Sequence, residues 1–118
     1  MGTFSCKVRL DSIDRERSVE IDALVDTGAS YTIVAADTLD ELGVAPIDSY
    51  PVELADGRVV TYDLGQAHAT IDGRSIPTLV LFGDNGTEPL LGAYTLEGLR
   101  LAVDPSQHKL VPSLKGRA

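Results

Sequence analysis

Polar and apolar residues alternate most regularly between residues 18 and 25, in the segment S-V-E-I-D-A-L-V. The apolar side chains at positions 19, 21, 23 and 25 fall on one face of an extended chain, and those at 18, 20 and 22 fall on the other. This pattern predicts a strand with one face in the core and with Asp22 in solvent. A looser alternation over residues 4 to 10 predicts a partner strand, joined to the first by the polar D-S-I-D-R-E-R.

The rest of the chain divides into short apolar runs separated by turn signals. We predict a strand over 31–34, a short helix over 35–42 that stops at Gly43, and a loop bracketed by Pro46 and Pro51. A hairpin is predicted around Asp56-Gly57, then an alternating strand over 67–72 and a fully buried strand over 76–82. A short helix after residue 92 and a last hairpin around P-S-Q complete the pattern, which predicts a mostly antiparallel, all-β barrel or sandwich.

Size and charge narrow the set of partners. The 118 residues are expected to form a single domain, 1–118, and the hydrophobic content of 43% is that of a globular protein. A formal charge of -8 repels phosphate groups, so we expect neither nucleic acid nor a membrane as a partner. No apolar run approaches the roughly 20 residues of a membrane span, and the first residues lack a signal-peptide core, so a cytoplasmic location is expected.

Cysteine and histidine residues give no indication of a metal or redox site. Cys6 is the only cysteine, and its place in the first predicted strand indicates a structural role. His68 and His108 lie far apart and have no cysteine or acidic residue at ligand spacing. We therefore expect no metal and no cofactor.

A carboxylate stands where the best-defined strand ends. In A-L-V-D-T-G-A-S, residues 23–30, Asp26 lies on a turn between two apolar segments, and Gly28 would let the backbone approach a ligand closely. An Asp-x-Gly triplet alone is common in turns, but a charge between two buried strands is costly, which favours a functional role. Ser30 has no histidine near it in sequence to activate it as a nucleophile, so we interpret it as a hydrogen-bonding loop residue.

Three segments resemble those of the retropepsin-like aspartic proteases, and they occur in the same order along the chain. The A-L-V-D-T-G-A-S segment resembles their active-site loop, and E-L-A-D-G-R-V-V at 53–60 falls where the family has its flap hairpin. L-L-G-A at 90–93 resembles the apolar-apolar-Gly element that packs beside the active-site loop. The resemblance covers residues 4–104, and the added terminal hairpin is nearer to small bacterial and archaeal members than to viral enzymes. It implies a closed acid-protease barrel of one lobe with one or two short helices.

The resemblance implies an aspartic endopeptidase with Asp26 as the catalytic acid and base. Two carboxylates sharing one proton would activate a water for attack on a peptide bond. The chain has one Asp-Thr-Gly and no room for a second lobe, so the second carboxylate would come from another copy in a homodimer. The substrate would be an extended peptide or protein segment, held by main-chain hydrogen bonds.

The remaining site residues follow from the same resemblance. Support of the active-site loop is expected from Thr27, which would reach its counterpart in the second chain, from Gly28, whose carbonyl would face the substrate, and from Ala29 and Ser30. The flap would present Ala55, Asp56, Gly57, Arg58 and Val59 to the substrate. The second motif would comprise Leu90, Leu91 and Gly92.

The chain also departs from the viral pattern. Viral enzymes commonly pair an aspartate, two places after the motif glycine, with an arginine after the second-motif glycine, whereas this chain has Ser30 and Ala93 there. The flap tip A-D-G-R is more polar than the glycine-rich viral tip. Tyr62, just after the flap, could line the cleft or pack within a strand.

Two other functions stay open at this point. A catalytically silent module could keep the fold for peptide binding or dimerisation, which the missing charge pair and the polar flap would favour. The Asp-Thr-Gly turn could also bind phosphate, as in actin-like kinases, although such folds need a longer chain with a helical α/β pattern.

Overall fold

The segments predicted as strands pair mostly into one curved sheet. The computed structural model describes residues 3–113, in which nine strands and two short helices are present. They are β1 Ser5–Asp11, β2 Ser18–Val25, β3 Thr32–Ala35, α1 Ala36–Leu42, β4 Pro46–Glu53, β5 Val59–Ile71, β6 Arg74–Gly83, β7 Leu90–Leu91, α2 Ala93–Gly98, β8 Leu101–Asp104 and β9 Lys109–Pro112. The predicted all-β class is confirmed.

The main sheet closes on itself in a ring. Its order is β1-β2-β7-β3-β6-β5-β4, and β1 also pairs with β5. The β2–β7 and β3–β6 pairs are parallel, while the other pairs are antiparallel. Strands β8 and β9 form a separate hairpin that packs on the core through Leu101, Val103 and Leu110.

Strand β2 has the bounds and the sidedness that its alternation predicts. Ala23 and Val25 are buried, and Val19 and Ile21 pack against the core, whereas the Asp22 side chain is 70% exposed beside Lys7. Aliphatic side chains fill the interior, and the valines and leucines with at most 1% exposure are Val8, Leu10, Val34, Leu39, Val80, Leu91 and Leu99. Burial of each such side chain contributes about 1.5–3 kcal/mol.

The predicted loop between Pro46 and Pro51 was wrong, because these residues belong to strand β4. Within residues 3–113, β4 pairs only with β5, from Pro46 opposite Gly65 to Glu53 opposite Val59. Proline is tolerated on an edge strand, where its missing N–H leaves no partner unsatisfied. Strand β5 is also longer than predicted, and its first half forms a projecting hairpin with β4.

Helix α1 ends at the glycine that the sequence predicts as its stop. Gly43 adopts φ +83°, and its N–H donates to the carbonyl of Asp40 at 3.0 Å, which closes α1 in the left-handed conformation that glycine favours. Among residues 3–113, no helix has the length and apolar content that crossing a membrane requires.

Burial raises the pKa of the Cys6 thiol, and the Asp72 and Asp22 carboxylates add to this shift.

Three buried threonines connect α2 to the sheet. The Thr95 hydroxyl lies 2.7 Å from that of Thr32 on β3 and 2.9 Å from that of Thr78 on β6. The Thr32 hydroxyl also accepts the Gly92 N–H at 3.2 Å. Among the described residues, no buried side-chain nitrogen or oxygen lacks a hydrogen-bond partner, so this polar cluster is satisfied.

Replacing Thr95 with valine keeps the shape of the side chain but removes the hydroxyl shared by Thr32 and Thr78. Since unsatisfied buried hydroxyls are costly, we expect T95V to lower the free energy of unfolding by about 1–3 kcal/mol in urea denaturation. The control T61V alters an exposed position of β5 and should change it by less than about 0.5 kcal/mol. Equal losses in the two variants would contradict a stabilising role for the cluster.

Candidate active site

Backbone hydrogen bonds fix Asp26 at the end of β2. Its N–H donates to the Leu91 carbonyl at 3.0 Å, and its own carbonyl accepts the Ala29 N–H at 3.1 Å, which closes the turn. The Gly28 N–H donates to Asp26 Oδ1 at 3.0 Å. The half-buried carboxylate is therefore held by the turn on which it stands.

Gly92 and the start of α2 clamp the other side of this loop. The N–H groups of Ala93 and Tyr94 donate to the carbonyls of Ala29 and Ser30 at 2.8 and 2.9 Å. A side chain at Gly92 would have no room, because its Cβ would lie 2.5 Å from the Tyr31 carbonyl carbon and oxygen. The D-T-G-A-S and L-L-G-A segments thus lie side by side.

The loop residues differ in exposure. Thr27, Gly28 and Ser30 are exposed, whereas Ala29 is half-buried. A Cβ on Gly28 would lie 3.2 Å from Asp26 Oδ1, closer than most real contacts. Glycine at this position therefore leaves the carboxylate oxygen accessible from the turn.

A cleft of about 340 Å³ opens beside Asp26. Its walls are residues 28–31 of the loop, Ile33 and Leu81 of the sheet, and residues 50–53 of β4. The tip of the β4–β5 hairpin, residues 55–59, is exposed and does not line this cleft. A smaller cavity of about 170 Å³ borders Asp26 and Thr27 as well, where Phe4, Val25 and His108 contribute to its walls.

Sequence patterns missed several residues of the cleft. Tyr50 lies in the segment predicted as a loop, and Val52 lies at the start of the predicted hairpin. Leu81 lies in a continuous apolar run, whose pattern does not tell which side chains face the cleft. Only Tyr31 could have been found from the sequence, because it follows the motif directly. Tyr62 lies outside the cleft, and its hydroxyl donates to Asp84 Oδ2 at 3.4 Å.

The hairpin tip is held by its own charged residues. The Leu54 N–H donates to the Arg58 carbonyl at 2.7 Å, and Arg58 donates to Asp56 from its backbone N–H at 3.0 Å and from Nε at 2.7 Å. These hydrogen bonds, first the backbone one, lower the pKa of Asp56. Gly57, at φ +87°, provides the left-handed residue of the turn.

Residues 3–113 contain no group of three or more His, Cys, Asp or Glu side chains that could hold a metal ion. His68 contacts Arg15 instead, with its Nδ1 3.3 Å from the arginine Nη2. His108 packs against Phe4, with ring centroids 6.3 Å apart.

The charged hairpin tip should persist in acid. Because the pKa of Asp56 is lowered, its contribution to the folded tip is complete above the ordinary aspartate pKa and is lost as the pH falls through the lowered value. An NMR titration should place the Asp56 midpoint below the ordinary value, and R58A should raise it part of the way, since the backbone N–H remains. R74A is the control, and a midpoint that R58A leaves in place would contradict this.

A methyl group at Gly92 should disturb the clamp on the loop. We expect G92A to lower the free energy of unfolding by about 1–3 kcal/mol in urea denaturation, because the backbone of Tyr31 must shift. Gly98, at the other end of α2, offers a matched control, since its Cβ would meet only the flexible Ile76 side chain at 3.1 Å. A G92A variant as stable as G98A would show that the two segments can separate without cost.

Comparison with known proteins places this arrangement in a family. The sequence profile described as "gag-polyprotein putative aspartyl protease" matches residues 16–98, more than half of the chain. A comparison with curated proteins gave no match.

Solved structures agree with the profile. The chain is similar to EIAV protease complexed with the inhibitor HBY-793, with a TM-score of 0.66 and 20% identity over 83% of this chain and 88% of that one. The retroviral protease-like domain of Ddi1 from Leishmania major gives a TM-score of 0.56 and 19% identity over 95% and 90%. A retropepsin-like aspartic protease from Rickettsia conorii gives 0.54 and 18% over 88% and 89%. At these identities the likeness shows the fold, and with the profile it leads to one conclusion: the chain belongs to the retropepsin-like aspartic protease family.

Proposed function

We propose that this chain is an aspartic endopeptidase that works as a homodimer with two Asp26 carboxylates at its centre. The observation that carries the proposal is the position of Asp26, on a clamped turn between two sheet strands and open to the cleft. The sequence contains a single Asp-Thr-Gly, so the second carboxylate comes from a second copy related by a twofold axis.

The chemistry then follows from a shared proton. One Asp26 carboxylate takes a proton from a water, whose oxygen attacks the carbon of the peptide carbonyl. The other, protonated Asp26 gives its proton to the carbonyl oxygen, so that a neutral tetrahedral intermediate forms. When the C–N bond breaks, the amine nitrogen takes the proton that the first Asp26 holds, and one hydroxyl of the intermediate gives its proton to the second Asp26. The amine and carboxyl products are then released, and the pair again shares one proton.

The surrounding residues are proposed to position the substrate. An extended peptide would occupy the cleft, with the Gly28 carbonyl accepting from its main chain and Thr27 reaching its counterpart in the second copy. Ala29 and Ser30 would hold the loop to α2 through their carbonyls. The tip residues 55–59 lie outside the cleft of the single chain, so they would have to close over the peptide when it binds.

A second candidate function is a catalytically silent peptide-binding or dimerisation module. Ser30 and Ala93 favour it, because they stand where viral enzymes have the charge pair that braces their dimer. Within one chain, the hydrogen bonds from the N–H groups of Ala93 and Tyr94 to the loop carbonyls hold the Asp26 loop without that charge pair, so the loop geometry that the first candidate needs is kept.

The catalytic proposal is tested with D26N. Since an amide cannot act as the acid or the base, we expect D26N to lower peptide cleavage by about 10²–10⁴-fold while it keeps the Gly28 hydrogen bond and the fold. The measurement is mass-spectrometric analysis of a peptide library digested from acidic to neutral pH, with analytical ultracentrifugation of each protein. The matched control is D22N, an exposed aspartate four residues earlier on β2, which should cleave as wild type does.

Three outcomes would redirect the proposal. Equal cleavage by wild type and D26N would exclude Asp26 as the catalytic group. A protein that is monomeric at every concentration and pH would exclude the shared pair. A dimer that binds peptides but cleaves none would favour the silent module.

A further inference from the structure

Three tyrosines are in contact beside the cleft, and two of them, Tyr31 and Tyr50, line it. The rings of Tyr31 and Tyr50 are perpendicular, at 89°, with centroids 4.8 Å apart. Tyr94 of α2 lies against the other side of Tyr31, with centroids 5.4 Å apart and the rings tilted by 48°. An edge-to-face pair at this distance is a favourable aromatic geometry.

The Tyr31–Tyr50 contact joins two elements that the backbone does not join directly. Tyr31 belongs to the active-site loop, whose backbone packs on Gly92. Tyr50 belongs to β4, which among residues 3–113 pairs with β5 alone. Hairpins paired along one edge are more mobile than strands inside a sheet, so a side-chain contact at their base has a large effect on their position.

We infer that the Tyr31–Tyr50 ring contact holds the β4–β5 hairpin at the distance from Asp26 that substrate binding requires. Tyr50 is then a positioning residue, and it also limits the size of the substrate. This rests on the proposed function, because it assigns the hairpin to the substrate cleft. Both residues line the cleft that Asp26 borders, so they also form part of its wall. Substrate side chains that lie against this part of the wall are limited in size by the two rings.

The other aromatic of the hairpin does not share this role. Tyr62 is directly opposite Tyr50 in the β4–β5 register and is likewise half-buried. Its hydroxyl contacts Asp84, and it lines a separate surface pocket together with residues of α1 and β6. Tyr62 therefore provides a control that matches Tyr50 in residue type, strand pairing and burial but lies outside the cleft.

The test compares Y50A, Y50F and Y62A with wild type. An edge-to-face pair corresponds to about a 2- to 10-fold change in an equilibrium, so we expect Y50A to raise KM by about that factor with a smaller change in kcat. Y50A should also cleave peptides with bulky side chains next to the scissile bond relatively better than wild type does. Y50F keeps the ring and should behave as wild type, and Y62A should change neither KM nor the size preference.

Amide hydrogen exchange gives a readout that does not depend on activity. In Y50A the amides of residues 52–60 should exchange about 2- to 10-fold faster, while those of Y62A and Y50F should exchange at wild-type rates. If Y50A does not fold, Y50L and Y31L replace it. For residues 52–60, the Y31L/Y50L double variant should exchange no faster than either single variant, because the same ring contact to the hairpin is removed in all three.

The outcomes separate this inference from the proposed function. Equal exchange and equal KM in Y50A and Y62A would overturn the positioning role even if the protein is an active protease. Faster exchange in Y50A alone supports the link between loop and hairpin, even where wild type cleaves no peptide. Absence of cleavage by wild type counts against the proposed function only.

Discussion

The clamp between the Asp26 loop and the segment that begins α2 is the constraint on which the rest of the site depends. It consists of main-chain hydrogen bonds from Asp26 to Leu91 and from the start of α2 back to the loop carbonyls. A residue keeps its main-chain N–H and carbonyl groups when its side chain is replaced, unless by proline. Such a clamp therefore tolerates different side chains at positions 30 and 93. It requires close approach of the two backbones, and this explains why Gly92 has no space for a side chain. The direction of the Asp26 carboxylate and the place of Tyr31 both follow from it.

The buried threonines extend this constraint into the core. Their hydroxyls connect the clamp, through Thr32 and the Gly92 N–H, to β6 through Thr78. A hydroxyl in an apolar interior is stabilising only where its partners are placed correctly, so a cluster of this kind favours one arrangement of α2 on the sheet. The aliphatic core around it fills space but fixes orientation less strictly, because hydrophobic contacts are not directional. The buried hydroxyls therefore orient α2 on the sheet, whereas the buried aliphatic side chains mainly fill the interior.

Local patterns could predict those elements whose residues carry their own signal. Alternation predicted β2 with its bounds, Gly43 predicted the end of α1, and Asp56-Gly57 predicted the hairpin. The first half of strand β4 could not be predicted, because Pro46 and Pro51 indicate a loop unless the strand is known to lie at an edge, and that depends on the whole sheet. The same is true of the contacts between Tyr31 and Tyr50 and between Thr78 and Thr95, which join residues far apart in sequence. The motif could direct attention to Asp26 because its residues are contiguous, whereas the opposite wall of the cleft comes from β4 and β6.

Three aspartates near strand ends show how their surroundings separate structural from chemical roles. Asp11 is 2% exposed, but Arg9 donates to both of its oxygens at 2.9 and 3.1 Å, so the buried charge has a partner. Asp22 stands in solvent, where water stabilises its charge and the exposed Lys7 ammonium, 3.7 Å away, adds little. Asp26 is half-buried, accepts the Gly28 N–H and borders open space on two sides, the cleft and the smaller cavity. A polar group can therefore reach the Asp26 carboxylate from outside the lobe, which neither Asp11 nor Asp22 combines with partial burial. In the proposed homodimer that group would be a water between two Asp26 carboxylates, and the shared proton would offset the repulsion of two like charges.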